Sequence, residues 1–218
     1  MTNKTLIAID GPSGAGKSTI AKALAKELNI SYVDTGAMYR AFAFKLKELG
    51  KTDYTNVSEI TEILSESDIS FEGGKIFLDG VDISDKIRTE EIGSIASQIS
   101  SISEVREHLV AIQQNMSKVI SMIMDGRDIG TVVLPDAEHK FYINADVNTR
   151  AERRYLQLKE SGNEEKYEIV LKKIIERDHD DMTREASPLK KADDAIEIDT
   201  TFLSLEETIN KIISYIKE

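Results

Sequence analysis

The residues Gly11-Pro12-Ser13-Gly14-Ala15-Gly16-Lys17-Ser18 carry the clearest chemistry in this chain, because they fulfil the Walker A pattern. Glycines at these spacings let backbone N–H groups close around phosphate oxygens. Lys17 is placed to reach the β- and γ-oxygens of a nucleoside triphosphate, and the Ser18 hydroxyl to ligate Mg²⁺. A purely structural glycine turn would need neither Lys17 nor Ser18. ATP is therefore expected along Gly11, Pro12, Ser13, Gly14, Ala15, Gly16, Lys17, Ser18 and Thr19. Asp125 closes an apolar run as a Walker B carboxylate would, and is expected to hold magnesium with Ser18. Asp34 ends another run and either does similar work or caps the turn that follows.

Arginine is the second signal. Only nine are present, at 40, 88, 106, 127, 150, 153, 154, 177 and 184, whereas lysine is spread along the whole chain. A planar guanidinium suits bidentate recognition of phosphate, so scarce arginines grouped in a few segments point to oxyanion chemistry. Arg150, Arg153 and Arg154 share one helical face and are expected to clamp transferring phosphates from a lid over about 148–166. Arg177, Asp181 and Arg184 share another face, where a surface ion-pair ladder would give the same pattern. The Asn-Lys-x-Asp and Asp-x-x-Gly elements of guanine-binding switches do not occur, which favours a kinase over a switch.

These groups need a scaffold that brings strand ends together. The run from Thr5 to Asp10 reads as a buried strand, followed by a glycine-rich turn and a helix over about Lys17 to Leu28 with Ile20, Leu24 and Leu28 on one face. Further strand-like runs at Tyr32-Val33, Val119 to Met124, Phe141 to Ile143 and Ala195 to Ile198 alternate with helical patterns. The expected fold is thus α/β, with a five-stranded parallel sheet flanked by helices. Carboxylates at Asp10, Asp34 and Asp125 then mark the carboxyl edge, where open α/β sheets bind ligands. Between about 51 and 101 the alternation breaks. There Ile69 to Phe71, Ile76 to Leu78 and Val81 to Ile83 are short strand patterns joined at Gly73-Gly74 and Asp79-Gly80, and predict a small antiparallel sheet in an inserted subdomain. A single domain of 1–218 is expected, with core 1–50 and 102–218.

Composition sets the outer limits. The chain has 218 residues, 40% hydrophobic and 31% charged, with no cysteine. Disulfides and thiolate chemistry are excluded, and a reducing cytoplasm is the expected setting. The start Thr2-Asn3-Lys4 lacks a signal-peptide pattern and no apolar run is long enough to span a membrane. A formal net charge of −11 argues against a nucleic-acid partner.

Taken together the motifs resemble the bacterial cytidylate kinases of the nucleoside monophosphate kinase superfamily. The resemblance spans nearly the whole chain. It rests on Ile9-Asp10 with the glycine-rich loop, Asp34-Thr35-Gly36-Ala37-Met38-Tyr39-Arg40, Ile87-Arg88-Thr89-Glu90, Ala96-Ser97-Gln98, Val105-Arg106, Asp125 to Val133, and Arg177-Asp178. It implies ATP and CMP or dCMP as substrates, Mg²⁺ as cofactor and a monomer. It also implies that Ser97, Arg106 and Asp128 read cytosine and that Thr35, Tyr39, Arg177 and Asp181 surround the pentose. Arg40, Arg127 and Arg184 match phosphate-contacting positions, and Lys17, Arg127, Arg153 and Arg154 are the expected catalytic set. The family often has serine where this chain has Thr35, a change that keeps the hydroxyl. Base recognition has a physical logic of its own: Asp128 can accept from cytosine N4 and Arg106 donate to the ring acceptors, whereas uracil would set a carbonyl against Asp128. Rival acceptors are UMP or a small alcohol, as in shikimate-type kinases, and the rival from another class is a nucleotide-binding regulatory module.

Overall fold

The computed structural model describes residues 4–217. Thr2 and Asn3 of the polar start lie outside them. Five parallel strands, β1 (Leu6–Asp10), β2 (Ser31–Asp34), β6 (Met122–Asp125), β7 (His139–Asn144) and β8 (Ile196–Asp199), form a sheet in the order β2-β6-β1-β7-β8. Strand β1 pairs in register with β6 (Ile9 opposite Asp125) and with β7 (Asp10 opposite Tyr142). Ile7, Ala8 and Ile9 are fully buried, as expected of a central parallel strand covered on both faces.

Residues 4–30 and 121–217 pack as one compact unit and residues 31–120 as another. In the first unit, helix α1 (Lys17–Leu28) buries Ile20, Ala21, Leu24 and Ala25 and ends at Asn29 in the left-handed conformation. Helices α6 (Val147–Glu160) and α7 (Tyr167–Thr183) pack against each other through Ala151, Leu158, Val170 and Ile174, with Tyr155 and Tyr167 edge to face at 6.0 Å. Helix α8 (Leu205–Lys217) opens with a reciprocal cap: the Ser204 N–H donates to Glu207 and the Glu207 N–H donates back to Ser204 Oγ.

The second unit holds α2 (Thr35–Glu48), α3 (Val57–Ser65), α4 (Glu90–Ile99) and α5 (Ser103–Ser117) around one apolar cluster that includes Met38, Phe42, Ile60, Ile92 and Leu109. The same cluster takes Ile69, Ile76 and Leu78 from a three-stranded antiparallel sheet of β3 (Ile69–Glu72), β4 (Lys75–Leu78) and β5 (Val81–Asp82). Both of its turns have two consecutive residues at positive φ, Gly73 (58°) with Gly74 (78°) and Asp79 (52°) with Gly80 (76°), which is the tight-hairpin geometry the sequence predicts.

One strand begins later than its sequence suggests. The apolar run from Val119 predicts a strand start there, yet Val119 is 76% and Ile120 46% exposed, and β6 starts at Met122. Helix α5 runs on to Ser117, and the Val119 N–H still donates to Met116 O, so the first two apolar residues of the run lie on the turn. Among the described residues no helix is long and apolar enough to cross a membrane.

Candidate functional site

In the first unit the chain leaves β1 through Gly11, whose φ is +145° and whose Cβ, had it one, would fall 2.0 Å from Ile143 O. Only glycine permits this exit, which starts the phosphate-binding loop hard against β7. Lys17 is buried, and its Nζ donates to Pro12 O at 2.7 Å, so the ammonium is folded back onto its own loop. Burial first, and the neighbouring Arg127 second, push Lys17 down to about 7. The negative charge of an incoming phosphate would oppose both influences.

Ser18 Oγ donates to Asp125 Oδ2 at 2.8 Å, joining the start of α1 to the end of β6. This pair tests whether a magnesium site fits. A hydroxyl and a carboxylate side by side make a hard, all-oxygen donor set, as Mg²⁺ requires. Among the described residues no group of three or more His, Cys, Asp or Glu could hold a metal, so the remaining ligands fall to phosphate and water. The donor set fits magnesium held together with a nucleotide. Asp34 has a different role: it caps α2 by accepting from the Ala37 N–H at 2.9 Å and pairs with Arg88 at 3.0 Å.

Beyond β6 the charges converge. Arg127 Nε donates to Asp181 Oδ2 at 2.6 Å, and Arg184 Nη1 lies 3.4 Å from Asp181 Oδ1. Burial alone would push the Asp181 carboxyl up, but Arg127, Arg177 and Arg184 together hold it below the usual carboxylate range. The sequence spacing of Arg177, Asp181 and Arg184 thus marks a buried network, not a surface ladder. Arg127 belongs to it from a distant strand end. Asp128 follows, itself buried.

The arginines of α6 divide. Arg150 is buried; its Nε donates to Ala145 O and its Nη1 to Ser13 O, each at 2.9 Å, and the same Nη1 pairs with Asp178. Asp178 in turn accepts the Ser13 N–H at 2.9 Å. The two side chains brace the phosphate-binding loop from α6 and α7. Arg153 donates to Thr200 O at 2.7 Å and Arg154 to Gln157 at 2.8 Å. The three arginines expected to act from one face therefore sit in three surroundings. The brace has no local signature in the sequence, because Ser13 stands 137 residues from Arg150 and 165 from Asp178, although Asp178 stands beside Arg177.

The second unit carries the remaining expected residues on three helices. Thr35 opens α2 and is buried, and Tyr39 lies one turn on, under the Arg106 guanidinium of α5, which stands 5.4 Å from the ring centroid. Arg106 is buried and donates to Ser100 O at 3.1 Å. Ser97 lies on the last turn of α4 and is half-buried. Arg40 donates to Ile87 O at 3.1 Å and to Thr89 O at 3.3 Å. Gly93 faces it across α4, and a Cβ there would come 3.0 Å from the guanidinium.

Comparisons with known proteins identify the family. The family model described as cytidylate kinase matches residues 7–218. The chain is 51% identical over 215 residues to the cytidylate kinase of Caldicellulosiruptor saccharolyticus, covering 96% of this chain and 94% of that one. It is 49% identical over 220 residues to the cytidylate kinase of Caldanaerobacter subterraneus subsp. tengcongensis, with 100% and 97% covered. In fold it is similar to the crystal structure of an uncharacterized protein from Eubacterium ventriosum, with a TM-score of 0.54, 16% identity and 99% of each chain covered.

Proposed function

This chain belongs to the cytidylate kinase family, and from that premise we propose how its residues divide the work of moving the γ-phosphoryl group of ATP onto CMP or dCMP. The observation that carries the reading is the meeting, in one unit, of Lys17, the Ser18–Asp125 pair and the Arg127–Asp181–Arg184 network. ATP lies along Gly11 to Thr19, and Lys17 turns from Pro12 O to the β- and γ-oxygens. Ser18 and Asp125 hold Mg²⁺, which supplies charge neutralisation on the phosphates when bound. Arg127 and the lid arginines Arg153 and Arg154 stabilise charge on the transferring group, Arg153 after leaving Thr200.

The acceptor phosphate is ionised at neutral pH and is itself the nucleophile, so positioning and electrostatics suffice without a strong general base. Arg40 and Arg184 hold that phosphate with Arg127. Thr35, Tyr39, Arg177 and Asp181 hold the pentose. Asp128 accepts from cytosine N4, while Arg106 and Ser97 complete the ring contacts; uracil leaves an acceptor facing an acceptor, a mismatch of about 1–3 kcal/mol. The enzyme works as a monomer in the cytoplasm.

A coupled ADP-release assay with ATP, Mg²⁺ and a panel of CMP, dCMP, UMP, AMP and shikimate tests this. Turnover is expected to be fastest with CMP and dCMP. Preference for any other acceptor overturns the assignment, and ATP binding without ADP release on adding CMP identifies a regulatory module instead.

A further inference from the structure

Asp10 is the last residue of β1 and is 4% exposed. Its Oδ1 accepts the Ile129 N–H at 2.8 Å and its Oδ2 the Gly130 N–H at 2.7 Å, across 119 and 120 residues of sequence. These are the first two N–H groups of a short π-helical turn, Ile129–Val133, whose own bonds start with the Val132 and Val133 N–H groups on Asp128 O and the Leu134 N–H on Ile129 O. The first N–H groups of any helical turn lack partners within it, and π-turns recur at functional sites. Here a carboxylate from another strand supplies both acceptors.

The preceding residue of β1 fixes the other end of the same loop, since the Gly126 N–H donates to Ile9 O at 3.0 Å. Consecutive residues of β1 thus pin Gly126 on one side and Ile129 and Gly130 on the other. Arg127 and Asp128 are all that lies between the pins. The residue after Asp10 is Gly11, where the phosphate-binding loop begins.

We propose that Asp10 is a positioning residue for acceptor recognition, a clasp that holds Arg127 and Asp128 at a fixed place relative to the ATP loop. The proposal rests on the reading above that Arg127 and Asp128 meet CMP. Asp10 touches neither substrate; it acts through the backbone of the loop. Burial pushes its carboxyl up to about 6 against the pull of the two N–H donors, with Asp128 adding to the rise and Lys17 opposing it. A group kept at that cost has a geometric duty, since a buried asparagine or an apolar residue would avoid the charge. The loop is built closely around it: a Cβ at Gly130 would come 3.4 Å from Asp10 Oδ2 and 3.3 Å from Lys140 Cδ.

Asp10→Asn keeps the size but turns an N–H donor against one of the two backbone donors. The expected result is a CMP KM raised about tenfold or more and a CMP-over-UMP preference reduced about fivefold or more, with ATP affinity within about twofold of the unmodified enzyme. Gly130→Ala presses on the clasp from the loop side, and is expected to shift the same two quantities less; it serves where Asp10→Asn does not fold. Asp128→Asn is measured alongside. If Asp128→Asn erases the preference while Asp10→Asn, or Gly130→Ala in its place, leaves both CMP quantities within twofold, the clasp is overturned and the reading of Asp128 stands. If CMP KM rises in the clasp variants but Asp128→Asn leaves the preference intact, the clasp stands through Arg127 and the base assignment falls. An equal loss of ATP and CMP affinity makes Asp10 a general fold contact and overturns the proposal, as does no change in any variant.

Discussion

The ion pairs with both partners buried lie in the first unit, although pairs on its surface such as Lys172–Glu176 are as exposed as those of the second. Around the phosphate-binding loop, Arg150–Asp178 and Arg184–Asp181 have side chains at most 10% exposed. In residues 31–120 the pairs Lys45–Asp79, Lys47–Glu91, Lys51–Glu59 and Lys75–Asp82 are at least 28% exposed on both partners, over an apolar cluster that does the packing. An exposed pair contributes about 0–1 kcal/mol, whereas removing one partner of a buried pair leaves a stranded charge. Charge in the first unit is therefore part of its fold as well as of its site. In the second unit the fold rests mainly on apolar packing, and half-buried Ser97 is the candidate substrate group there whose side chain can be altered with least structural consequence.

The sharpest way to break this contrast is to remove one partner from each kind of pair. Arg150→Ala is expected to destabilise the protein by about 3–5 kcal/mol in urea unfolding, and Lys45→Ala by about 0–1 kcal/mol. Equal effects would end the distinction. Next in size, Lys17→Met should lower kcat by about 10²–10³-fold, the loss typical of removing one preorganised charge donor.

The same variant probes stability. The Lys17 ammonium titrates near 7 in the folded chain against 10.5 when unfolded. Its contribution is present above 10.5 and lost as pH falls through 7, because the folded state binds fewer protons across that window. Thermal unfolding of the ligand-free enzyme should thus gain stability between pH 7 and 10 from this group, and Lys17→Met should flatten that gain while raising the melting temperature at pH 7.

Smaller effects are expected from the groups proposed to read the base. Asp128→Asn should reduce the CMP-over-UMP ratio of kcat/KM by about 5- to 150-fold, equivalent to about 1–3 kcal/mol. Ser97→Ala, on the apolar unit, should raise CMP KM by about 2- to 10-fold, the range of one neutral hydrogen bond, and leave the urea midpoint unchanged. A shifted midpoint would show that candidate substrate groups in residues 31–120 also support its fold.

Local signals carried much of this to the reader of the sequence. The five strands, α1 from Lys17 to Leu28 and the two glycine-bearing hairpin turns follow from apolar periodicity and turn chemistry, which act over a few residues. The start of β6 did not, since apolar residues on the turn after α5 look the same in sequence as the first residues of a strand. Pairings across the sheet were also hidden. Nothing near Arg150 in sequence announces Ser13 or Asp178, and nothing near Asp10 announces Ile129. A motif shows which chemistry a residue can do, while its partner is decided by topology.

That topology has a kinetic side. Central strand β1 has its parallel neighbours at β6 and β7, so Leu6 waits for Met122 and Ile7 for His139. During synthesis the phosphate-binding loop leaves the ribosome without either neighbour, while the hairpins and helices of 31–120 find their partners locally as they follow. Closing so long a loop costs entropy before any contact repays it, and non-local pairing of this kind is slow. The ability to bind ATP should therefore be among the last properties a newborn chain acquires, and a nascent chain stalled before Met122 should fold its middle while lacking its active site.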